Sequence, residues 1–224
     1  MVKFWHKKLF LFFCLLTAQV ALKPAFALEQ VFYLLNFKFG IQNTGQAAPI
    51  GGKDDLYLKE IESEHGTLNE NRLATPLAIS FDFYQVDGSL ATGFGMEINR
   101  YNKNYSFNDN SSVELEVQGV LFAFSTYYRG DYWFPYLSLG TGGYSVKIRE
   151  NLVSTTAGEE DSKASFIDSA PSVFYYEIGS RFPLGEWGFL IAWRATSAQL
   201  KVQTVGERLE LGGQTSLLGV YYNY

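Results

Sequence analysis

Side chains that could support nucleophilic chemistry are few in this 224-residue chain, which contains two histidines and one cysteine. His65 follows Ser63 inside the acidic stretch from Glu60 to Gly66, so a hydroxyl group and a base lie near each other. A serine needs such a base to become a nucleophile. Because the stretch is polar and rich in carboxylates, we interpret His65 as a solvated loop residue and predict no catalytic residue.

Two acidic runs, Asp54-Asp55 and Glu159-Glu160-Asp161, are the candidate metal ligands. A calcium loop distributes its oxygen ligands at alternating positions over about twelve residues, and neither run has that spacing. We therefore interpret both runs as solvated charge, and we predict no metal site and no cofactor.

Charges of both signs occur where small and polar residues alternate with large apolar ones. They are Lys38, Asp82, Glu97, Glu177, Arg181 and Arg194. Alternate residues of a strand point to opposite faces, so these six share the small, polar face of their strands. Inside a narrow barrel, opposite charges pair and fill the space, and we predict this structural role. A small pore or proton path is the alternative.

Turn signals place these charges in hairpins. Asp87-Gly88 and Gly185-Glu186 are two-residue turn candidates between alternating segments. Folding the chain at the first turn places Phe83 opposite Thr92. Folding it at the second places Leu184 opposite Trp187, and the same count places Glu177 across from Arg194.

Short connections alternate with long ones along the chain. Residues 86–89, 128–131 and 183–186 are tight, whereas 42–74, 102–110, 149–169 and 202–211 are long or polar. This alternation predicts an all-β protein of eight antiparallel strands in up-and-down order, with long loops at one end of a barrel and short turns at the other.

The N-terminal segment has the layout of a secretory signal peptide. Lys3, Lys7 and Lys8 precede an apolar stretch, and Ala25-Phe26-Ala27 is a small-x-small cleavage site. We predict a signal peptide over 1–27 and one domain over 28–224. Cleavage removes four of the 18 basic residues and none of the 23 acidic ones, which leaves a net charge of −9. A chain this acidic is not expected to bind nucleic acid.

Two motifs resemble those of small bacterial outer-membrane β-barrel proteins. The C-terminal segment, with Gly219, Tyr222 and Tyr224, resembles the signal by which such barrels are recognised for assembly, although Leu217 stands where that signal has a polar residue. The segment from Phe134 to Tyr144 resembles a Pro-Tyr-Leu-Gly-x-Gly strand, with Ser138 in place of the first glycine. The resemblance implies outer-membrane location, contact with membrane lipids and lipopolysaccharide, recognition by the barrel assembly machinery and a monomeric state.

A transmembrane barrel should present its broad aromatic face to lipid. The expected periplasmic girdle consists of Tyr33, Phe83, Trp133, Phe182, Tyr222 and Tyr224. Residues 113–118 alternate in the opposite sense to 120–124, which indicates either a bulge at Gly119 or glutamates above the membrane. A soluble lipocalin-like barrel, with apolar residues inside and a bound ligand, is the structural alternative.

The functional prediction is a non-enzymatic barrel with a structural, surface-interaction or limited-permeability role. The alternative is a lipid-modifying enzyme that uses loop residues such as His65 and Ser63. Barrel deacylases of this kind carry a His-x-Ser pair on a late strand, and the comparable segment from Trp193 to Ala198 has a serine and no histidine. That difference argues against the deacylase.

Overall fold

The computed structural model describes residues 31–43, 56–69, 73–154, 162–202, 206 and 208–224. The predicted signal peptide and its cleavage site, and the two acidic runs, lie outside these residues. No described helix is long and apolar enough to cross a membrane.

Twelve elements make up the described part of the chain. They are β1 (Val31–Asn43), α1 (Leu56–His65), β2 (Leu68–Asn69), β3 (Leu73–Ala74), β4 (Leu77–Asp87), β5 (Leu90–Phe107), β6 (Ser112–Tyr128), β7 (Phe134–Leu152), β8 (Ser162–Leu184), β9 (Trp187–Lys201), β10 (Arg208–Glu210) and β11 (Gly213–Asn223). Eight of the strands, β1, β4 to β9 and β11, pair antiparallel in chain order. Because β11 pairs with β1, the ring closes, and the predicted eight-stranded up-and-down barrel is confirmed.

One of the two predicted hairpin registers is correct and the other is wrong. Leu184 pairs with Trp187, as predicted. At the first turn, Phe83 pairs with Phe94 and not with Thr92. Gly88 is the first central residue of this turn and has a φ of 62°. A turn with positive φ at its first central residue alone fits type II′. The turn therefore lies one residue later than predicted, which shifts each cross-strand partner by two residues. The shift is an even number of residues, which leaves every side chain on its predicted face.

Strands β5 to β8 form a wall that is taller than predicted. Residues 102–110 and 149–169 were expected to be loops, and this expectation is wrong. β5 and β6 stay paired up to Ser106 and Ser112, and β7 and β8 stay paired up to Leu152 and Ser162. The outward side chains of these extensions are polar because water surrounds them, and their polarity was interpreted as that of a loop.

Along these strands, the apolar residues change from the outward face to the inward face while the strand pairing continues. β6 pairs continuously with both neighbours through Gly119, so no bulge lies there. Above Gly119, Leu115 is buried inside and Glu116 faces outward; below it, Phe122 is exposed outside and Ser125 is buried inside. The glutamates therefore lie above the membrane level, as the second sequence alternative predicted. A bulge occurs instead at Gly143, where β8 inserts Pro171 and Ser172.

Exposed apolar side chains surround the half of the barrel that contains the short turns. On β5 the outward residues from Leu90 to Ile98 belong to this belt, and the next outward residue is Arg100. Eight residue steps at about 3.3 Å, tilted by about 40°, span roughly 20 Å across a bilayer. That height is close to the ~25 Å apolar band of membrane barrels. Rings of the expected girdle contact one another at the lower rim: the Tyr222 and Tyr224 centroids lie 4.6 Å apart.

Helix α1 was not predicted, because its residues were assigned to a long outer loop. Tyr57, Leu58 and Ile61 are buried, and their spacing places them on one helical face. They pack into an apolar cluster that fills the outer half of the barrel, together with residues such as Phe107 and Leu209. The outer end is therefore closed by packed side chains.

Candidate functional site

The six charged residues selected from the sequence lie together in the middle of the barrel interior. Lys38, Asp82, Glu97, Glu177, Arg181 and Arg194 are between 1% and 8% exposed. Above them lies the outer apolar cluster, and below them lies a second apolar cluster that contains Tyr84, Tyr127 and Tyr221. We call this middle layer the lumen charge network.

Arg194 is the centre of the network. Its guanidinium donates from Nη2 to Glu97 at 2.7 Å and from Nε to Glu177 at 2.7 Å. Lys38 reaches the same two carboxylates, with Nζ 2.9 Å from Glu97 and 3.4 Å from Glu177. Four charges from strands β1, β5, β8 and β9 thus neutralise one another.

Two tyrosines support this centre, and sequence reasoning missed both. The Tyr136 hydroxyl donates to Glu177 at 2.6 Å. The Arg194 guanidinium lies over the Tyr175 ring, 4.3 Å from its centroid. The strand alternation contained the signal, because both tyrosines fall on the same interior face as Glu177.

Arg181 and Asp82 form a second pair beside the first. Arg181 Nη2 lies 3.1 Å from the Asp82 carboxylate and donates to the Tyr84 hydroxyl at 3.1 Å. Asn36 donates to Asp82 at 2.9 Å. The network therefore holds three positive and three negative side chains, so its net charge is zero.

The space beside the network is too small for transport. The cavity lined by Lys38, Ser125, Ser138 and Arg181, among other described residues, measures about 10 Å³. One water molecule needs at least that much space. With apolar clusters on both sides, the described residues contain no continuous path through the barrel. The alternative of a small pore has no support in this arrangement.

His65 is not a solvated loop residue, so that interpretation is wrong. Its side chain is buried at the end of α1, with Nδ1 2.7 Å from Asp109 Oδ2 and 3.1 Å from Ser111 Oγ. Ser111 also accepts a hydrogen bond from the Val153 amide at 2.9 Å. These contacts fasten α1 to the turn between β5 and β6, and we call them the helix latch.

The helix latch contains serine, histidine and aspartate but lacks the geometry of a catalytic triad. In a triad, aspartate bonds one ring nitrogen and serine bonds the other. Here both partners meet Nδ1, so a histidine that donates this proton to Asp109 has no lone pair there for Ser111. Ser63 lies elsewhere and donates to the Glu60 carbonyl at 2.7 Å. Ser111 itself donates to the Asp109 carboxylate at 2.9 Å, so serine and histidine share one aspartate oxygen and do not form a relay.

The C-terminal residues of the predicted assembly signal lie at the closing seam between β11 and β1. A Cβ added to Gly219 would lie 2.6 Å from the Phe37 carbonyl oxygen, so this position has no room for a side chain. Tyr224 is 69% exposed, and its amide donates to the Tyr33 carbonyl at 3.0 Å. The structure places these residues, and their role in assembly stays a prediction.

The orientation of side chains decides between the two barrel classes. A soluble lipocalin-like barrel would place its apolar residues inside at every level and polar residues outside. The turn-side half of this barrel does the opposite, with Phe81, Phe122 and Ile178 exposed and Glu97 and Arg194 buried. The fold is that of a small outer-membrane β-barrel. The lipocalin-like alternative is therefore wrong for this half of the chain.

Comparison with solved structures finds proteins of similar architecture at low identity. The attachment invasion locus protein Ail of Yersinia pestis, solved with the heparin analogue sucrose octasulfate, is 10% identical with a TM-score of 0.44, and the match covers 87% of this chain and 98% of that one. Neisserial surface protein A is 10% identical with a TM-score of 0.46, covering 87% and 99%. The N-terminal barrel domain of Pseudomonas aeruginosa OprF is 13% identical with a TM-score of 0.36, covering 86% and 97%. No protein-family model and no curated protein matches the chain.

Removing Arg194 should cost more stability than removing Glu177. Arg194→Met leaves two buried carboxylates with Lys38 as their remaining cation, whereas Glu177→Gln leaves Arg194 paired with Glu97. Breaking a buried pair costs about 3–5 kcal/mol. A double-mutant cycle on these two substitutions, from urea unfolding in detergent micelles, measures the coupling. Zero coupling, or equal costs, would contradict the arrangement.

Acid should weaken the attachment of α1 to the barrel, because it protonates Asp109 in the helix latch. Desolvation raises the pKa of Asp109, but hydrogen bonds from the Ser111 amide and from His65 outweigh it and hold that pKa below its ordinary value. The stabilisation is therefore present at neutral pH and is lost as the pH falls through the lowered pKa. Hydrogen-exchange protection of the α1 amides should decrease below about pH 4.

The substitution Asp109→Asn separates the effect of Asp109 protonation on α1 from the effects of other groups that titrate in acid. The variant should have lower α1 protection at pH 7 and a flatter pH dependence than the unmodified chain. Ser63→Ala is the matched control, because Ser63 is exposed and outside the helix latch. If the pH profiles of Asp109→Asn and the unmodified chain coincide, Asp109 does not hold α1.

Proposed function

We propose that the protein is a non-enzymatic outer-membrane barrel that holds a folded, polar-surfaced outer half at the bacterial surface, in a structural or surface-interaction role. The observation that carries this proposal is the closed interior. The neutral lumen charge network lies between two apolar clusters, and α1 packs over the outer one. An interior filled in this way stabilises the barrel strands and leaves no room for a solute to pass.

The membrane level follows from the exposed belt. Its residues would contact lipid, and the outward polar face of β5 to β8 would stand in water above it. The signal peptide predicted over 1–27 and the resemblance of the C-terminal strand to an assembly signal support export to the outer membrane. Contact with outer-membrane lipids and lipopolysaccharide follows from this location, and the chain is proposed to be a monomer.

The two other candidate functions have weaker support. Limited permeability requires a path through the lumen charge network, and its cavity of about 10 Å³ does not provide one. A lipid-modifying enzyme requires an activated nucleophile, and neither Ser63 nor Ser111 has a correctly placed base. On β9, where barrel deacylases carry their histidine, Arg194 is a buried side chain and belongs to the lumen charge network.

Electrophoretic mobility and conductance together test the proposal. The purified chain in detergent should migrate differently before and after boiling, because a closed barrel resists denaturation until heated. In a planar bilayer the folded chain should show no steady conductance. A chain that stays soluble without detergent would refute the membrane location, and stable channels would refute the closed interior.

Deletion of Tyr222-Asn223-Tyr224 tests the assembly signal. The truncated chain loses the exposed terminal aromatics and the β1–β11 pairs at the seam, so it should be degraded before it reaches the outer membrane. Surface labelling and fractionation measure this loss. Trp187→Leu is a matched control, since it removes an aromatic ring that contacts Tyr222 at the same rim and leaves the C-terminal residues intact. Normal surface levels of the truncated chain would exclude the signal.

A further inference from the structure

The outer part of β8 is paired on one side among the described residues. β7 pairs with it from Ala170 up to Ser162. On its other side, β9 pairs with β8 from Leu184 up to Val173 and no further. Above Ala198, β9 pairs with β10, which continues the register of β11 on the opposite side of β9 from β8. Within the part of the chain that the structure describes, the segment Ser162–Ala170 is therefore a sheet edge, and we call it the β8 edge.

Pro171 accounts for the separation of β8 from β9. A proline has no amide N–H, so it cannot donate a ladder bond to β9. It lies in the bulge at the level where pairing with β9 ends. The Ala198 carbonyl, the last β9 residue at this level, accepts from the Leu211 amide at 2.9 Å. This bond lies on the β10 side of β9, and among the described residues no residue of β8 beyond Val173 pairs with β9.

The amide groups of successive residues in β8 point alternately toward β7 and away from it, which determines those available for pairing at the β8 edge. The Ser169 amide donates to the Asp168 carboxylate at 2.8 Å, so it points away from β7. In an antiparallel strand every second residue shares this direction, which assigns the same side to Lys163, Ser165 and Ile167. Asp168 and Pro171 protect the membrane-proximal end of the edge, and these three residues remain available. Unpaired edge groups of this kind are a template for another strand.

The side chains along the edge indicate the chemistry of its partner. Ile167 is 72% exposed although it lies above the membrane belt, and Lys163 and Ser165 are exposed as well. On the neighbouring strand β7, the residue paired with Ile167 is Lys147. An added strand would cover Ile167 with an apolar residue and would place an acidic residue opposite Lys163.

We propose that the β8 edge binds an extended segment of another protein as an added antiparallel strand, with an apolar residue opposite Ile167 and an acidic residue opposite Lys163. This inference rests on the proposed surface-interaction role and names the surface that performs it. Backbone hydrogen bonds provide the affinity, and the two side-chain positions provide the selectivity.

A second copy of the chain fits this edge less well. Antiparallel self-pairing centred on Ser165 would place Lys163 opposite Ile167, which leaves the lysine without an acidic partner. Centring the pair on Lys163 would place two lysines opposite each other, and like charges at such positions destabilise the pair. A heterologous strand avoids both arrangements.

A designed peptide tests the proposal on the full chain in detergent. The peptide has about ten residues with β-branched side chains, a valine placed for Ile167 and, four residues later, a glutamate placed for Lys163. We expect saturable binding by fluorescence anisotropy and increased hydrogen-exchange protection at the Lys163, Ser165 and Ile167 amides. Ser165→Pro removes an edge donor and should weaken binding by about tenfold or more, whereas the matched Ser165→Ala keeps the donor and should bind normally.

Charge reversal gives a second test that does not require proline to be tolerated. Lys163→Glu should weaken binding of the glutamate peptide and restore binding when that glutamate is replaced by lysine. The boiling-dependent mobility shift verifies that each variant is folded. No binding by the folded chain, or protection elsewhere than at the β8 edge, would overturn the proposal while leaving the membrane location intact. Concentration-dependent self-association that Ser165→Pro abolishes would assign the edge to a second copy and would also overturn it.

Discussion

The small circumference of the barrel is the constraint on which the rest of the structure depends. Eight strands leave an interior that side chains fill, so the inward charged groups depend on other side chains for their partners. Arg194 satisfies this requirement by contacting two carboxylates at once, and Lys38 contacts the same two. The charged layer is tolerated in the middle of the barrel interior because its positive and negative side chains balance and are buried.

The second constraint is the change of solvent along the outside. The hydrogen-bonded ladder of β5 to β8 runs from the membrane belt into water with its face alternation intact, apart from the bulge at Pro171. Where lipid covers the outside, apolar residues face outward and charges face inward. Where water covers it, polar residues face outward and apolar residues face inward. There α1 completes an apolar core of the kind found in soluble proteins.

The features that could be predicted from the sequence are those set by neighbouring residues. Alternation and turn signals determined the strand number, the faces and the pairing of Glu177 with Arg194. Helix α1 was missed because its three buried apolar residues lie in an acidic stretch, and their apolar partners come from distant strands. His65 was misassigned for the same reason, because its partner Asp109 is 44 residues away in the sequence and only the fold brings the two side chains together. The turn at Gly88 was shifted because one glycine permits two turn types with different closing residues.

The composition of the lumen charge network has a consequence for how the barrel folds. Its four central charges come from β1, β5, β8 and β9, and Lys38 and Glu177 are 139 residues apart in the chain. No hairpin contains a neutral subset of these charges except the one that joins Glu177 to Arg194. Lys38 and Glu97 can meet within the sheet β1–β4–β5, but their second partners, Glu177 and Arg194, reach them only from β8 and β9. The complete network therefore forms only when the ends of the chain meet, and we expect long-range contacts of this kind to form slowly.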